Sequence, residues 1–285
     1  PDANKCHARG CTWNTEISTN IPICYIPKWK GGYELVVGQE KITQWDIQYK
    51  LRRLFGNDID NLKLKITRSG TNIIRLKILD DDRERYEVPV PIKWYPSNVE
   101  QQQQKIKFQL TKTKYNQIGF QIVRVDTKAL LFDTSYFAEG FIYDDKYVQF
   151  ITTIPSKNIY GIFARDQRPV GLNENLYGTH PFYMVIENDG NAFGVFIFNS
   201  NAQDYKFSLF EPDKSMLTYR TVDGILDLFF FAGPTPEDVV RQYQQVIGTP
   251  YIPPYWGLGF QLGRYGYNTL DNMRAAMNRF YQFIT

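Results

Sequence analysis

Residues 251–267 read Y-I-P-P-Y-W-G-L-G-F-Q-L-G-R-Y-G-Y, and the fold turns on how they are read. Pro253 and Pro254 punctuate the chain, since proline can neither continue a helix nor donate to a ladder. The apolar run from Trp256 to Leu262 has the length and composition of a strand buried on both faces. A polar aromatic cluster follows, Arg264-Tyr265-Gly266-Tyr267. A helix then starts at Asn268-Thr269, with Leu270, Met273, Met277 and Phe280 on one side. Strand, loop and helix make one βα unit, and in a barrel of eight such units the loop after each strand carries the chemistry. An ordinary strand and turn of any α/β domain reads the same way.

Working back along the chain, the pattern changes to short strands. Leu62–Ile66, Asn72–Ile78, Lys105–Leu110 and Phe120–Val125 alternate with period two, so each has one wet face. Asp80-Asp81-Asp82 and Asp144-Asp145 are turn punctuation rather than metal ligands. Gln101–Gln104 is a polar loop tip. Strands continue over 182–232, with Asp189-Gly190-Asn191 as a tight hairpin turn and Phe229-Phe230-Phe231 as a buried strand end. The spacing of strands and turns predicts a β-sandwich. Thr235-Pro236-Glu237-Asp238 starts a helix: cap, proline at the first position, then two acids facing the dipole. Val239, Val240, Tyr243, Val246 and Ile247 form its apolar stripe, and Gly248 closes it.

Composition agrees with mostly β structure. Of 285 residues 43% are hydrophobic and 16% aromatic, with 20 Tyr and 20 Phe against 4 Met, which suits sheet packing. The aromatic richness fits a sugar-binding protein, because Tyr and Trp faces pack on sugar C–H surfaces, and equally a sheet core. Net charge is +3 from 33 basic and 30 acidic residues, and the basic residues are scattered, which argues against nucleic acid. No run of about 18 apolar residues occurs to span a membrane. The start, Pro1-Asp2-Ala3-Asn4, lacks the form of a signal peptide. The sequence holds no Asn-x-Ser/Thr acceptor.

All three cysteines, Cys6, Cys11 and Cys24, fall in the first 24 residues. With few helix signals around them and Trp13 nearby, they suggest a small disulfide-stapled module. Three unpaired cytosolic thiols remain the alternative.

The stretch from Pro253 to Met273 resembles the first barrel strand of the family 31 α-glucosidases, in particular the maltase-glucoamylase and sucrase-isomaltase group. Y-G-T-H-P-F-Y-M (177–184), F-G-V-F-I-F-N-S-N-A (193–202), T-Y-R-T-V-D-G-I-L-D (218–227) and G-P-T-P-E-D-V-V-R-Q-Y (233–243) agree in the same order. C-H-A-R-G-C-T-W followed by I-P-I-C-Y resembles the trefoil (P-type) module that precedes the catalytic unit in that group. The resemblance implies three parts. These are a trefoil module at 1–28, cut at its N-terminal side, a β-sandwich at 29–250, and the first strand and helix of a truncated (β/α)8 barrel at 251–285. It implies a Cys6–Cys24 disulfide, with the partner of Cys11 lying before residue 1. It implies an extracellular or apical-surface parent rather than a lysosomal one, held at a membrane only through an anchor outside this chain.

The implied activity is retaining hydrolysis of terminal α-linked glucose from maltose, starch fragments or sucrose. That reaction needs two carboxyl groups flanking the scissile bond, and no cofactor or metal. The Trp-x-Asp-Met-Asn-Glu type stretch that carries the nucleophile in the family is absent from these 285 residues. No catalytic aspartate is therefore assigned to this chain, which alone is expected to be inactive. Two accessory positions carry over. Asp166, in I-F-A-R-D-Q, matches an aspartate that hydrogen-bonds sugar hydroxyls on the leaving-group side. Tyr265 matches a tyrosine lining the pocket for the terminal glucose, with Tyr267 as a weaker candidate. His180 is expected to be structural beside Pro181. The chain departs from the family between Gly161 and Ile162, where a stretch rich in Glu, His, Arg and Trp is missing, and again at 281–285. A second reading is a non-catalytic carbohydrate-binding or interaction module.

Overall fold

The computed structural model describes residues 2–8, 11–15, 23–25, 33–36, 44–49, 59–98, 100–112, 117–134, 141–143, 148–153, 159–164, 177–211, 214–263 and 266–284. The elements in chain order are α1 (Ala3–Ala8), β1 (Thr12–Trp13), β2 (Cys24–Tyr25), β3 (Tyr33–Leu35), β4 (Gln44–Tyr49), β5 (Asn61–Ser69), β6 (Ile73–Asp80), β7 (Ile106–Lys112), β8 (Ile118–Arg124) and β9 (Leu130–Asp133). There follow β10 (Phe141–Tyr143), β11 (Val148–Thr153), β12 (Ile159–Ile162), β13 (Phe182–Ile186), β14 (Ala192–Ile197), β15 (Gln203–Glu211), β16 (Lys214–Thr221), β17 (Leu226–Phe231), α2 (Pro236–Ile247) and α3 (Leu270–Ile284). The chain divides into two compact units, Pro1–Gly248 and Thr249–Thr285.

The first unit is built on a seven-stranded antiparallel sheet ordered β13-β14-β17-β6-β5-β4-β3. Alternation in the sequence sorts its side chains. Leu62, Leu64 and Ile66 of β5, and Ile74, Leu76 and Ile78 of β6, point to one face and are buried. They meet Phe120, Ile122 and Phe132 of the three-stranded sheet β7-β8-β9, and Tyr219 of the five-stranded sheet β10-β11-β16-β15-β12. This is the core of a sandwich, as the strand and turn spacing leads one to expect. Phe120 and Phe132 stack at 5.5 Å, and Phe132 meets the edge of Phe230 at 5.1 Å.

The other face of the central strands is buried too. Ile73, Phe196, Phe229 and Phe231 pack against Val239 and Val246 of α2, with Trp94 alongside. Covered on both sides, β14 and β17 are buried at every position. That explains a continuous run such as L-D-L-F-F-F in an antiparallel sheet, where a half-wet strand would alternate. The helix approaches so closely that a Cβ on Gly194 would stand 2.5 Å from Val239 Cγ1.

The face of α2 differs in detail from the predicted stripe. Val239, Gln242 and Val246 are buried, while Val240 and Ile247 are exposed. Gln242 is inside because its amide is fully used: Nε2 donates to Gly233 O at 2.7 Å and Oε1 accepts from Gly233 N at 3.1 Å. A buried amide with both ends satisfied carries no desolvation penalty of the unpaired kind. The cap is as read: Thr235 Oγ1 accepts from Asp238 N at 3.1 Å, and Pro236 opens the helix.

The Asp80–Asp82 turn is likewise a turn. Asp80 Oδ1 accepts from the backbone N–H of Asp82 and Arg83, Asp81 pairs with Lys63, and Asp82 accepts from Asn61. Asp144-Asp145 lies outside the described residues. The hairpin at Asp189-Gly190-Asn191 closes with Glu187 N donating to Asn191 O, and Gly190 takes φ 87°, a conformation glycine tolerates.

In the second unit the structure differs from the sequence reading. Trp256–Leu262, expected as a buried strand, is a 3₁₀ turn over Tyr255–Leu258 followed by irregular chain. A strand exists only where neighbours accept and donate to its backbone. Here the backbone bonds locally instead, Gly257 N donating to Pro254 O at 2.9 Å. The helix forms where predicted: Thr269 Oγ1 accepts from Asn272 N at 3.2 Å and α3 follows. Phe280 of α3 stacks on Phe260 at 5.9 Å.

Candidate functional site

Strand register assembles a row of tyrosines that the sequence holds far apart. Tyr160 of β12 is opposite Tyr205 of β15, and Tyr205 is opposite Tyr219 of β16. Side chains opposite one another in a ladder share a face, so the three rings form one aromatic row across the five-stranded sheet. Tyr160 and Tyr205 stack at 5.1 Å with 20° between planes, and Phe207 meets the edge of Tyr205 at 5.3 Å. Across from them, on edge strand β13 of the seven-stranded sheet, stands Tyr183. Between the two sheet edges lies a cleft of about 400 Å³.

The cleft grades from wet to dry. Gly178, Thr179 and His180 at its mouth are exposed, Tyr183 and Tyr205 on its walls are half-buried, and Ile197, Leu217 and Tyr219 on its floor are buried. Burial pushes the Tyr183 phenol well above the ordinary tyrosine range. Burial does the same to Tyr219, helped by the neighbouring Tyr183 and by Asp204. Tyr205 is raised by burial and by Tyr160. All three stay neutral O–H groups across physiological pH, able to donate and to accept. Asp204 itself is held by Arg220, at 2.7 and 2.9 Å. His180 stacks beside Phe182 and Tyr243 at 6.4 and 6.5 Å.

β12 ends at the rim of this cleft, at Gly161 and Ile162, shortly before the sequence-predicted Asp166. Asp166 itself lies outside the described residues, as does Tyr265. Tyr267, the weaker candidate, is half-buried in the second unit. The cysteine module is described: Cys6 and Cys24 form a disulfide with Cα atoms 5.8 Å apart, within ordinary disulfide reach. The Cys11 sulfur stands within 4.8 Å of both.

Among the described residues, the acids drawn into the interior are structural. Asp227, with a side chain 1% exposed, takes a two-pronged bond from Arg75 at 2.9 and 2.6 Å, and Lys77 lies 3.9 Å away. Glu187 is bound by Arg124, which also donates to Ala232 O at 2.7 Å and Ala192 O at 3.1 Å. A carboxylate gripped by a guanidinium on a sheet face is not presented to a substrate. Sequence reasoning missed the tyrosine row and both arginine hubs. Its available signal was tyrosine at like positions of Y-G-I, D-Y-K-F and L-T-Y-R, which means nothing until pairing is known.

Comparison with known proteins adds to this geometry. The trefoil (P-type) domain model matches residues 1–27. Intestinal sucrase-isomaltase of Rattus norvegicus is 36% identical over 299 aligned residues, covering 96% of this chain and 16% of the relative. Lysosomal alpha-glucosidase of Bos taurus is 32% identical, covering 95% of this chain and 31% of the relative. The chain thus spans well under half the length of these relatives. Among solved structures, the GH31 dextranase of Flavobacterium johnsoniae complexed with isomaltotriose superposes with a TM-score of 0.55 over 88% of this chain and 32% of its own, at 19% identity.

Proposed function

We propose, of a chain that belongs to the family 31 glycoside hydrolases, that it is the substrate-framing N-terminal region of a retaining α-glucosidase. One observation carries the reading: likeness at 36% and 32% identity extends over nearly the whole chain to both a sucrase-isomaltase and a lysosomal alpha-glucosidase. The substrates are α-glucoside oligosaccharides such as maltose and starch fragments. The setting is extracellular or apical, where a Cys6–Cys24 disulfide persists.

In this role the chain supplies position rather than proton transfer. The rigid sandwich anchors the loop after β12, so that the carboxylate of Asp166 accepts hydrogen bonds from hydroxyls of the leaving-group sugar. Tyr265, following the 3₁₀ turn, walls the pocket for the terminal glucose. Both act by orienting the scissile bond between nucleophile and acid, groups that this chain does not contain. The test is kinetic. In the complete enzyme that includes this chain, Asp166→Asn and Tyr265→Phe should each lower kcat/KM for maltose by about tenfold, the worth of a charge-assisted or well-placed hydrogen bond. Unchanged kinetics in both variants would remove the assignment.

A further inference from the structure

We propose that the tyrosine-walled cleft between β12 and β13 is a binding site for one neutral pyranose unit of an oligosaccharide, held without chemistry. Three features of the cleft point to that ligand. Its volume of about 400 Å³ falls inside the range of about 300–1,000 Å³ usual for small-molecule sites. Its gradation from exposed mouth to buried floor makes it an entry rather than a sealed void. Among the described residues its lining is neutral: no carboxylate, ammonium or guanidinium borders it, and His180 at the mouth is the one imidazole. A phosphate or a carboxylate would find no countercharge among these residues.

What the cleft does offer is alternating chemistry. Leu217, Ile197 and the ring faces of Tyr183 and Tyr205 are apolar, while the phenols of half-buried Tyr183 and Tyr205 punctuate them. A pyranose has that same division, with C–H faces and hydroxyls at its edge. Tyr and Trp serve such amphipathic contacts because a rigid ring carries one polar tip. The Tyr205 wall is set in advance by its stack on Tyr160 and its edge contact with Phe207. Little ordering entropy is therefore lost when a ligand enters.

That the pyranose is an α-linked glucose rests on the α-glucosidase reading; that it is a neutral sugar does not. The experiment is titration of the 285-residue chain with methyl α-glucopyranoside and with maltose, followed by saturation-transfer NMR and by calorimetry. Cyclohexanol serves as an apolar control of similar size. Saturable sugar binding, with transfer from tyrosine ring protons, is expected. Leu217→Trp fills the floor and should weaken binding at least tenfold. Should that variant fail to fold, Tyr205→Phe keeps the ring and removes one hydroxyl, and should weaken binding about three- to tenfold. Absence of sugar binding by a folded chain overturns the proposal. So does cyclohexanol binding as tightly as the glucoside, or binding indifferent to both substitutions. Failure here, with Asp166→Asn still impairing the complete enzyme, would leave the α-glucosidase reading standing. The reverse outcome would do the opposite.

Discussion

Arg124 sits at the end of β8, 2% exposed, and satisfies four acceptor contacts at once: two on Glu187 and the carbonyls of Ala192 and Ala232. A buried charge is tolerable only when so paired. It ties the three-stranded sheet to the ends of β14 and β17. Replacing it by methionine strands the Glu187 carboxylate and should lower the urea unfolding free energy by about 3–5 kcal/mol. Arg124→Lys should recover little, because an ammonium cannot span the same fork. Replacing both partners by apolar residues should recover most of the loss, and a double variant as unstable as the single one would contradict the account. Asp227 makes a separate case on the opposite sheet face. Its carboxyl is pushed above the ordinary carboxylate range by burial, against the pull of Arg75 and Lys77. Folding then takes up a proton in the window between the ordinary and the raised values. The stability Asp227 contributes is therefore full below the ordinary carboxylate pKa and falls as pH rises through the raised one. Asp227→Asn should flatten the stability–pH curve in that window, read from urea melts at a series of pH values. A curve of unchanged slope would show that the carboxyl does not titrate with folding.

Helix α2 shows what one element's local chemistry decides. Its Thr235 cap holds both the Asp238 N–H and the Asp238 carboxylate, and Arg241 holds that carboxylate from the next turn. The cap hydroxyl, then Arg241, keeps the Asp238 carboxyl below the ordinary range. Thr235→Ala should cost about 1 kcal/mol and should move the Asp238 titration, followed by NMR, upward; a shift with no loss of stability would separate the two roles. In the cysteine module, the Cys6–Cys24 bond closes a loop of 18 residues. Chain-entropy reasoning gives such a closure about 3 kcal/mol. Cys6→Ser with Cys24→Ser should unfold the module locally, seen as fast amide exchange at Trp13 and Asn14. The same elements show why sequence was informative here. Period-two alternation located β5, β6, β7 and β8, and cap chemistry located α2 and α3, because those signals are local. The strand read at Trp256–Leu262 failed for the opposite reason. An apolar run specifies that something must cover it, not which conformation it takes, and a ladder needs neighbours that local sequence does not name.

At the scale of the molecule, the layered β architecture was legible, while the contents of its sheet edges were not. Tyr160, Tyr205 and Tyr219 become one row only through the registers β12–β15 and β15–β16, and no single-sequence period encodes a cross-strand partner. Asp166 and Tyr265 were reached by resemblance, which transfers a role without supplying a geometry. Among the described residues, those of the second unit include the most exposed apolar side chains, with Tyr255 91%, Trp256 76% and Phe260 75% exposed. Met273, Met277 and Phe283 of α3 are exposed as well. Soluble monomers rarely present a contiguous apolar patch beyond a few hundred Å². The purified 285-residue chain is therefore expected to bind a hydrophobic dye such as ANS and to self-associate with rising concentration in sedimentation velocity. Trp256→Ser combined with Phe260→Ser should reduce both, and should leave the sandwich melt within about 0.5 kcal/mol of the parent, since exposed positions contribute little to folding. A chain that is monomeric at every concentration and silent to the dye would mean these side chains are covered in solution. Maltose hydrolysis in the same preparation is expected to be undetectable, because the Trp-x-Asp-Met-Asn-Glu type stretch that carries the nucleophile in the resembled family is absent from these 285 residues. Detectable turnover would require a carboxylate pair from this chain to do what the sequence assigns elsewhere.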